Sequence, residues 1–130
     1  MDRELILVLG GTRVLGVAEE LERQGYKALS RTSIMGAMNA LRHRPVAWIL
    51  IDDPDESIDL LELVLNVRDV DAYVPVVVVG DPAHHGEYDR ALAACPHVFF
   101  LRGARPPRRV VADLVALMER DPAYQEACEC

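Results

Sequence analysis

Aromatic residues make up only 5% of this sequence, with one Trp and two Phe, so its core must be built from aliphatic side chains. Cysteine is scarce too, at Cys95, Cys128 and Cys130. That is too few for a disulfide scaffold. Cys128 and Cys130, one residue apart with no second pair and no partnered His, make a poor zinc site. They read as free thiols in a reducing compartment, the alternative being a redox or metal role for the Cys-Glu-Cys end. Positive charge is not in excess: 14 Lys and Arg against 21 Asp and Glu give a net charge of −7. That balance argues against a dedicated nucleic-acid surface. No apolar run approaches the ~20 residues that span a bilayer, and Met1-Asp-Arg-Glu is unlike a signal peptide. The expected location is cytoplasmic, with no membrane and no directly bound nucleic acid as partner.

What the chain does have is short apolar runs alternating with amphipathic stretches. At 130 residues, 51% of them hydrophobic, it is one domain's worth and long enough to bury a core. Leu5–Leu9 is aliphatic, too short for an isolated helix and right for a buried parallel strand. Val14–Gln24 predicts a helix with Val14, Leu15, Val17, Ala18 and Leu21 inward and Glu19, Glu20, Glu22 and Arg23 outward, stopped by Gly25. Tyr26–Leu29 is an edge-like strand. Thr32 or Ser33 caps a helix that runs to about Arg44, before Pro45.

Val46–Ile51 is the third strand, followed by Asp52-Asp53-Pro54-Asp55-Glu56-Ser57. Ile58–Val67 predicts the third helix, with Leu60, Leu61, Val64 and Leu65 on one side and Arg68–Tyr73 as its exit. Pro75–Val79 is a fourth strand, apolar throughout and therefore covered on both faces. A loop with His84-His85-Gly86 leads into a helix from Glu87 to Ala94. Val98–Leu101 is the fifth strand, and Pro107–Arg120 the fifth helix, opened by proline.

This alternation predicts an α/β fold, an open, mostly parallel, doubly wound sheet of five strands. No internal repeat, low-complexity tract or linker precedes about Asp121. Ligands of such sheets gather at the carboxyl ends of the strands. Those ends carry Gly10, Gly11 and Thr12, then Asp52 and Asp53, then Gly80 and Asp81, then Arg102 and Gly103.

Two phrases carry a resemblance to a known family. "RHRPVAWILID" and "DLLELVLNVRDVDAYVPVVVVGD", with the order and lengths of the elements from Arg3 to about Arg120, resemble the receiver domain of bacterial two-component response regulators. The resemblance implies a doubly wound, five-stranded parallel sheet of the flavodoxin type, in a domain over residues 1–121, with 122–130 as a tail or the start of a linker. It also implies a site with an acidic pair after strand one that holds a divalent cation and an aspartate after strand three that accepts a phosphoryl group. A Ser or Thr after strand four and a Lys after strand five grip the phosphoryl oxygens. The logic is charge: bringing a phosphoryl group to a carboxylate requires cations to neutralise both.

Against that pattern this sequence keeps one feature. Asp52, or its neighbour Asp53, matches the phosphoacceptor. Gly10 and Gly11 stand at the acidic-pair positions, Gly80 at the hydroxyl position, and Arg102 or Gly103 at the lysine position. The resemblance is therefore to a degenerate receiver, expected to act in signal transduction by protein contact, without catalysis, cofactor or metal. The plain reading of Asp52 and Asp53 is solvated turn residues before Pro54. Arg102 reads as a surface cation, and His84 and His85 as loop residues with too few companions to hold a metal. Arg105, Arg108 and Arg109 form a basic cluster near a helix start, against the helix dipole.

"VPVVVVGDPA" and "MERDPAYQEA" are similar to the atypical receivers at the amino end of sigma-54-dependent, flagellar-type activators. That narrower likeness implies a downstream AAA+ output domain in the same chain. Receivers commonly pair through helix four, strand five and helix five, a face that here would contain Tyr88, Arg90, Leu92, Arg102, Arg105, Arg109, Val110 and Asp113. Two alternatives stay open: a phosphorylatable receiver using Asp52 in an atypical way, and a small NAD(P)-binding Rossmann domain. The latter rests on "GGTRVLG", which keeps Gly10 and Gly16 of a glycine-rich turn but places Arg13 where the middle glycine belongs.

Overall fold

The computed structural model describes residues 5–53, 58–80, 95–101, 103 and 105–120. Their elements follow in the order β1 (Leu5–Gly10), α1 (Val14–Arg23), β2 (Lys27–Arg31), α2 (Ile34–His43), β3 (Val46–Asp52), α3 (Leu60–Val70), β4 (Val76–Val79), β5 (Val98–Leu101) and α4 (Pro107–Arg120). The expected helix at 87–94 lies outside the described residues, so α4 is the helix expected as the fifth. The strands form one sheet in the order β2-β1-β3-β4-β5, with every pairing parallel. This is the flavodoxin-type order, in which β3 crosses to the far side of β1; dinucleotide-binding sheets instead place strand three outside strand two.

Strand alternation sends side chains to two separate cores. Leu7, Leu9, Ile49, Ile51, Val76 and Val78 pack beneath α2 and α3. Ile6, Val8, Trp48, Leu50 and Val77 pack beneath α1 and α4, with Trp48 stacked at a tilt on Phe99 at 6.1 Å between centroids. Each fully buried aliphatic side chain contributes roughly 1.5–3 kcal/mol, so the near-absence of aromatics costs the fold little.

Local signals set most boundaries. The first helix ends where Gly25 takes φ 96°. The amides of Gly25 and Tyr26 bond back to the carbonyls of Glu22 and Leu21, closing a Schellman turn. The Ser33 hydroxyl accepts from the Gly36 amide at 3.0 Å and caps α2. Asp59 does the same for α3 through the Glu62 amide at 3.1 Å.

Some expectations fail, each for a geometric reason. The third helix continues through Val70, since nothing in Arg68-Asp69-Val70 breaks it, and its buried face is Leu63, Val64 and Val67. Leu65 projects outward at 55% exposed, as does Leu15 on α1 at 64%, while Glu20, expected outside, is buried. Glu20 is accommodated by Arg23 at 2.8 Å and Gln24 at 3.3 Å. The second strand starts at Lys27 and runs on through Arg31 in register with β1.

Candidate functional site

At the carboxyl edge of the sheet, β1 and β3 finish in register with Gly10 opposite Asp52. Asp52 continues the alternation of Trp48 and Leu50 and so faces the α1 and α4 side of the sheet. It is only 2% exposed. The reading of Asp52 as a solvated turn residue is therefore corrected: the strand carries it one residue further, into the interior.

A buried carboxylate is costly unless it is paired. Its partner is Arg13, whose Nε lies 3.2 Å from Oδ2 of Asp52. The contact is an ion pair without hydrogen-bond alignment, since neither atom has a hydrogen-bond partner. Burial pushes the Asp52 carboxyl pKa above its ordinary value; the Arg13 guanidinium opposes that shift without cancelling it, and the charge of Asp53 adds to it. Through Nη2 the same guanidinium donates to the backbone carbonyl of Arg105, whose own Nη1 donates to Oδ2 of Asp113. A line of polar contacts thus leads from the end of β3, across the start of α1, to α4.

Asp53 turns the other way. Its Oδ2 accepts from the Ile58 amide at 2.8 Å and holds the segment that leads into α3. Of the two aspartates, Asp52 is the one in the crevice.

Close backbone approach requires Gly10, and backbone conformation favours glycine at Gly80. A Cβ on Gly10 would lie 1.9 Å from the Asp52 carbonyl oxygen and 2.7 Å from its carbon. Gly80 has φ 154°, a conformation side chains rarely adopt, and its amide donates to the Leu101 carbonyl at 2.7 Å. Gly103 approaches it closely, since a Cβ there would meet the Gly80 Cα at 3.3 Å. Gly11 is half-buried beside Gly10.

The remaining expected residues divide. Tyr88, Arg90, Leu92, Arg102, His84, His85, Cys128 and Cys130 lie outside the described residues. Val110 is corrected from an interface residue to a core residue, 1% exposed, because it shares the inward stripe of α4 with Val111, Leu114 and Met118. Arg105 and Asp113 satisfy each other, and Arg108 and Arg109 are exposed on the first turn of α4. Sequence reasoning missed Arg13 as a member of the site, treating it as a departure from a glycine motif. The usable signal was topological: once β3 neighbours β1, the residues after β1 stand beside Asp52.

The fold is that of response-regulator receiver domains. The chain superposes on a CheY-like response regulator receiver domain from Methanospirillum hungatei with a TM-score of 0.75 at 14% identity, covering 96% of this chain and 99% of that one. It superposes on the C-terminal region of Escherichia coli RcsC, which contains a linker region and a phosphoreceiver domain, with a TM-score of 0.70 at 24% identity, covering 92% of this chain and 48% of that one. With NtrX from Brucella abortus the TM-score is 0.71 at 18% identity, covering 98% of this chain and 29% of that one. No family model matches the sequence, and no curated protein matches it.

Proposed function

We infer that this chain is a receiver-type signalling domain that works through protein contacts, without magnesium-dependent phosphorylation of Asp52. The observation that carries this reading is the occupancy of the crevice. Where receivers hold a divalent cation, this chain offers Gly10 and Gly11, which bring no carboxylate, and sets a guanidinium against Asp52. Among the described residues no three His, Cys, Asp or Glu side chains converge to hold a metal. A divalent cation does not fit this donor set. Gly80 offers no hydroxyl, and its backbone disfavours any residue that would.

The competing reading, a phosphorylatable receiver, has Asp52 at the acceptor position in its favour. Titrating the protein with magnesium and beryllofluoride while recording amide spectra separates the two. No saturable change is expected; saturable shifts around Asp52 that vanish in Asp52→Ala would establish the phosphorylatable reading instead. The dinucleotide-binding alternative is disfavoured by the strand order and by Arg13, which stands where a pyrophosphate would need bare backbone.

The likeness to parts of RcsC and NtrX supports a module that passes its signal to other domains, of which a sigma-54-type AAA+ output is the specific form proposed. Pairing of two copies through β5 and α4 belongs to the same proposal. Leu101, Asp113, Leu117 and Arg120 line an open concavity on that side. Sedimentation equilibrium across a wide concentration range tests it: a strictly monomeric protein would remove pairing from the account.

A further inference from the structure

We propose that Arg13 is a built-in counter-cation for Asp52 that also transmits the charge state of Asp52 to the outer side of α4, through the Arg105 carbonyl and Asp113. The inference rests on Asp52 being the centre of the site, and it holds whatever event changes the charge there.

Two independent observations carry it. The first is the double engagement of one rigid group. The guanidinium is planar and its donors are fixed relative to one another. Nε faces Asp52 while Nη2 holds the Arg105 carbonyl, 92 residues away in sequence. Any change at Asp52 that turns the plane must move both contacts together. A lysine ammonium carries its donors on one freely rotating nitrogen, so it would not tie the two contacts to a single rigid plane.

The second is where Arg13 sits. It occupies the N-cap position of α1 and makes no side-chain cap there, whereas Ser33 and Asp59 cap α2 and α3 with their side chains. A side-chain cap of the usual type stabilises a helix start. The cap is missing at a helix start whose N-cap side chain faces the buried carboxylate instead. Local rules broken at one position point to a role at that position.

On the receiving side, Arg105 stands just ahead of α4. Its carbonyl is held by Arg13 and its side chain by Asp113. The next residue, Pro106, accepts the amides of Arg109 and Val110 at 2.9 and 3.2 Å, forming the first turn of α4. Asp113 lines the open concavity with Leu101, Leu117 and Arg120. Neutralising Asp52 frees the guanidinium, which is already 25% exposed, to turn toward water. The Arg105 carbonyl then loses its donor, the first turn of α4 loosens, and the surface around Asp113 is altered. Charge at Asp52 thereby becomes legible to a partner on α4 that never touches Asp52.

The test uses the whole chain, isotope-labelled, with amide spectra and hydrogen exchange recorded for the wild type, Asp52→Asn, Arg13→Lys and the double variant. Asp52→Asn is expected to shift the amides of Arg105, Arg109 and Asp113, and to speed exchange at Arg109 and Val110 about tenfold, as loss of one charge-assisted bond allows. Arg13→Lys, which keeps a positive charge near Asp52, is expected to reproduce the changes at Arg105 and Asp113. The double variant should add nothing further there. Changes confined to residues 9–14 and 50–53 in Asp52→Asn would overturn the relay, and that variant decides alone should Arg13→Lys not fold. Magnesium and beryllofluoride binding by the wild type would overturn the proposed function and leave the relay standing, so the two failures are distinguishable.

Discussion

Gly10 and Asp52 stand opposite each other at the ends of β1 and β3, so close that a Cβ on Gly10 would fall 1.9 Å from the Asp52 carbonyl oxygen. The glycine is a condition of this sheet edge as it is built. Gly10→Ala must separate the two strands and is expected to cost about 3 kcal/mol or more. Gly10→Asp should do at least as much harm, adding charge beside a buried carboxylate. Urea unfolding midpoints measure both, and an acid at Gly10 that leaves the midpoint unchanged would contradict the geometry.

At the opposite edge of the sheet, Arg68 binds four carbonyls with one guanidinium. Nη1 donates to Val74 at 2.8 Å and Asp71 at 3.3 Å, and Nη2 to Pro96 at 2.9 Å and His97 at 3.2 Å. It joins the exit of α3 to the entries of β4 and β5. Arg68→Met is expected to lower stability by about 2–3 kcal/mol, because the carbonyls lose charged donors. Arg68→Lys should recover less than half of the loss, since one ammonium cannot span both pairs.

Helix starts offer a smaller, cleaner measurement. Ser33→Ala removes the acceptor of the Gly36 amide and is expected to cost about 1 kcal/mol. Chemical denaturation with a lower midpoint and an unchanged slope would show a loss of stability without a change in the surface exposed on unfolding.

How much of this was legible before the structure depends on range. Ser33, Gly25 and Pro107 act on residues within a turn of themselves, so the caps and stops they predict are the ones found. Uniformly apolar runs such as Val46–Ile51 have one stable home, the middle of a covered sheet, and the order of the strands followed from the receiver-like phrases. Leu65 shows what periodicity misplaces, and Val110 what the pairing face implied by the resemblance misplaces. On α3 the stripe is set by Leu63, Val64 and Val67, and on α4 Val110 belongs to the stripe itself. Arg13 was illegible for a different reason. Its partners, Asp52 and Arg105, are 39 and 92 residues away; the crossing of β3 to the side of β1 brings the first to it, and the packing of α1 against α4 brings the second.

Asp52 supplies the last prediction, because its burial and its pairing with Arg13 pull in opposite directions. Burial prevails, and the folded-state pKa lies above the ordinary aspartate value of 3.8. Between 3.8 and that raised value the native chain keeps a proton that the unfolded chain has released. The contribution of Asp52 to stability is thus greatest in acid, declines as pH rises through this window, and levels off above it. Asp52→Asn mimics the protonated form, and the Arg13 it leaves behind is exposed enough to reach water. The variant is therefore expected to match the wild type near the bottom of the window. At neutral pH it should exceed the wild type by about 1 kcal/mol, even with the Arg105 segment loosened. For a domain of this size that is a rise of roughly 3–5 °C in Tm. Paired unfolding curves taken from pH 3.5 to 7.5 supply the comparison. A variant less stable than the wild type at neutral pH would mean that the Arg13 pair outweighs the cost of burying the charge.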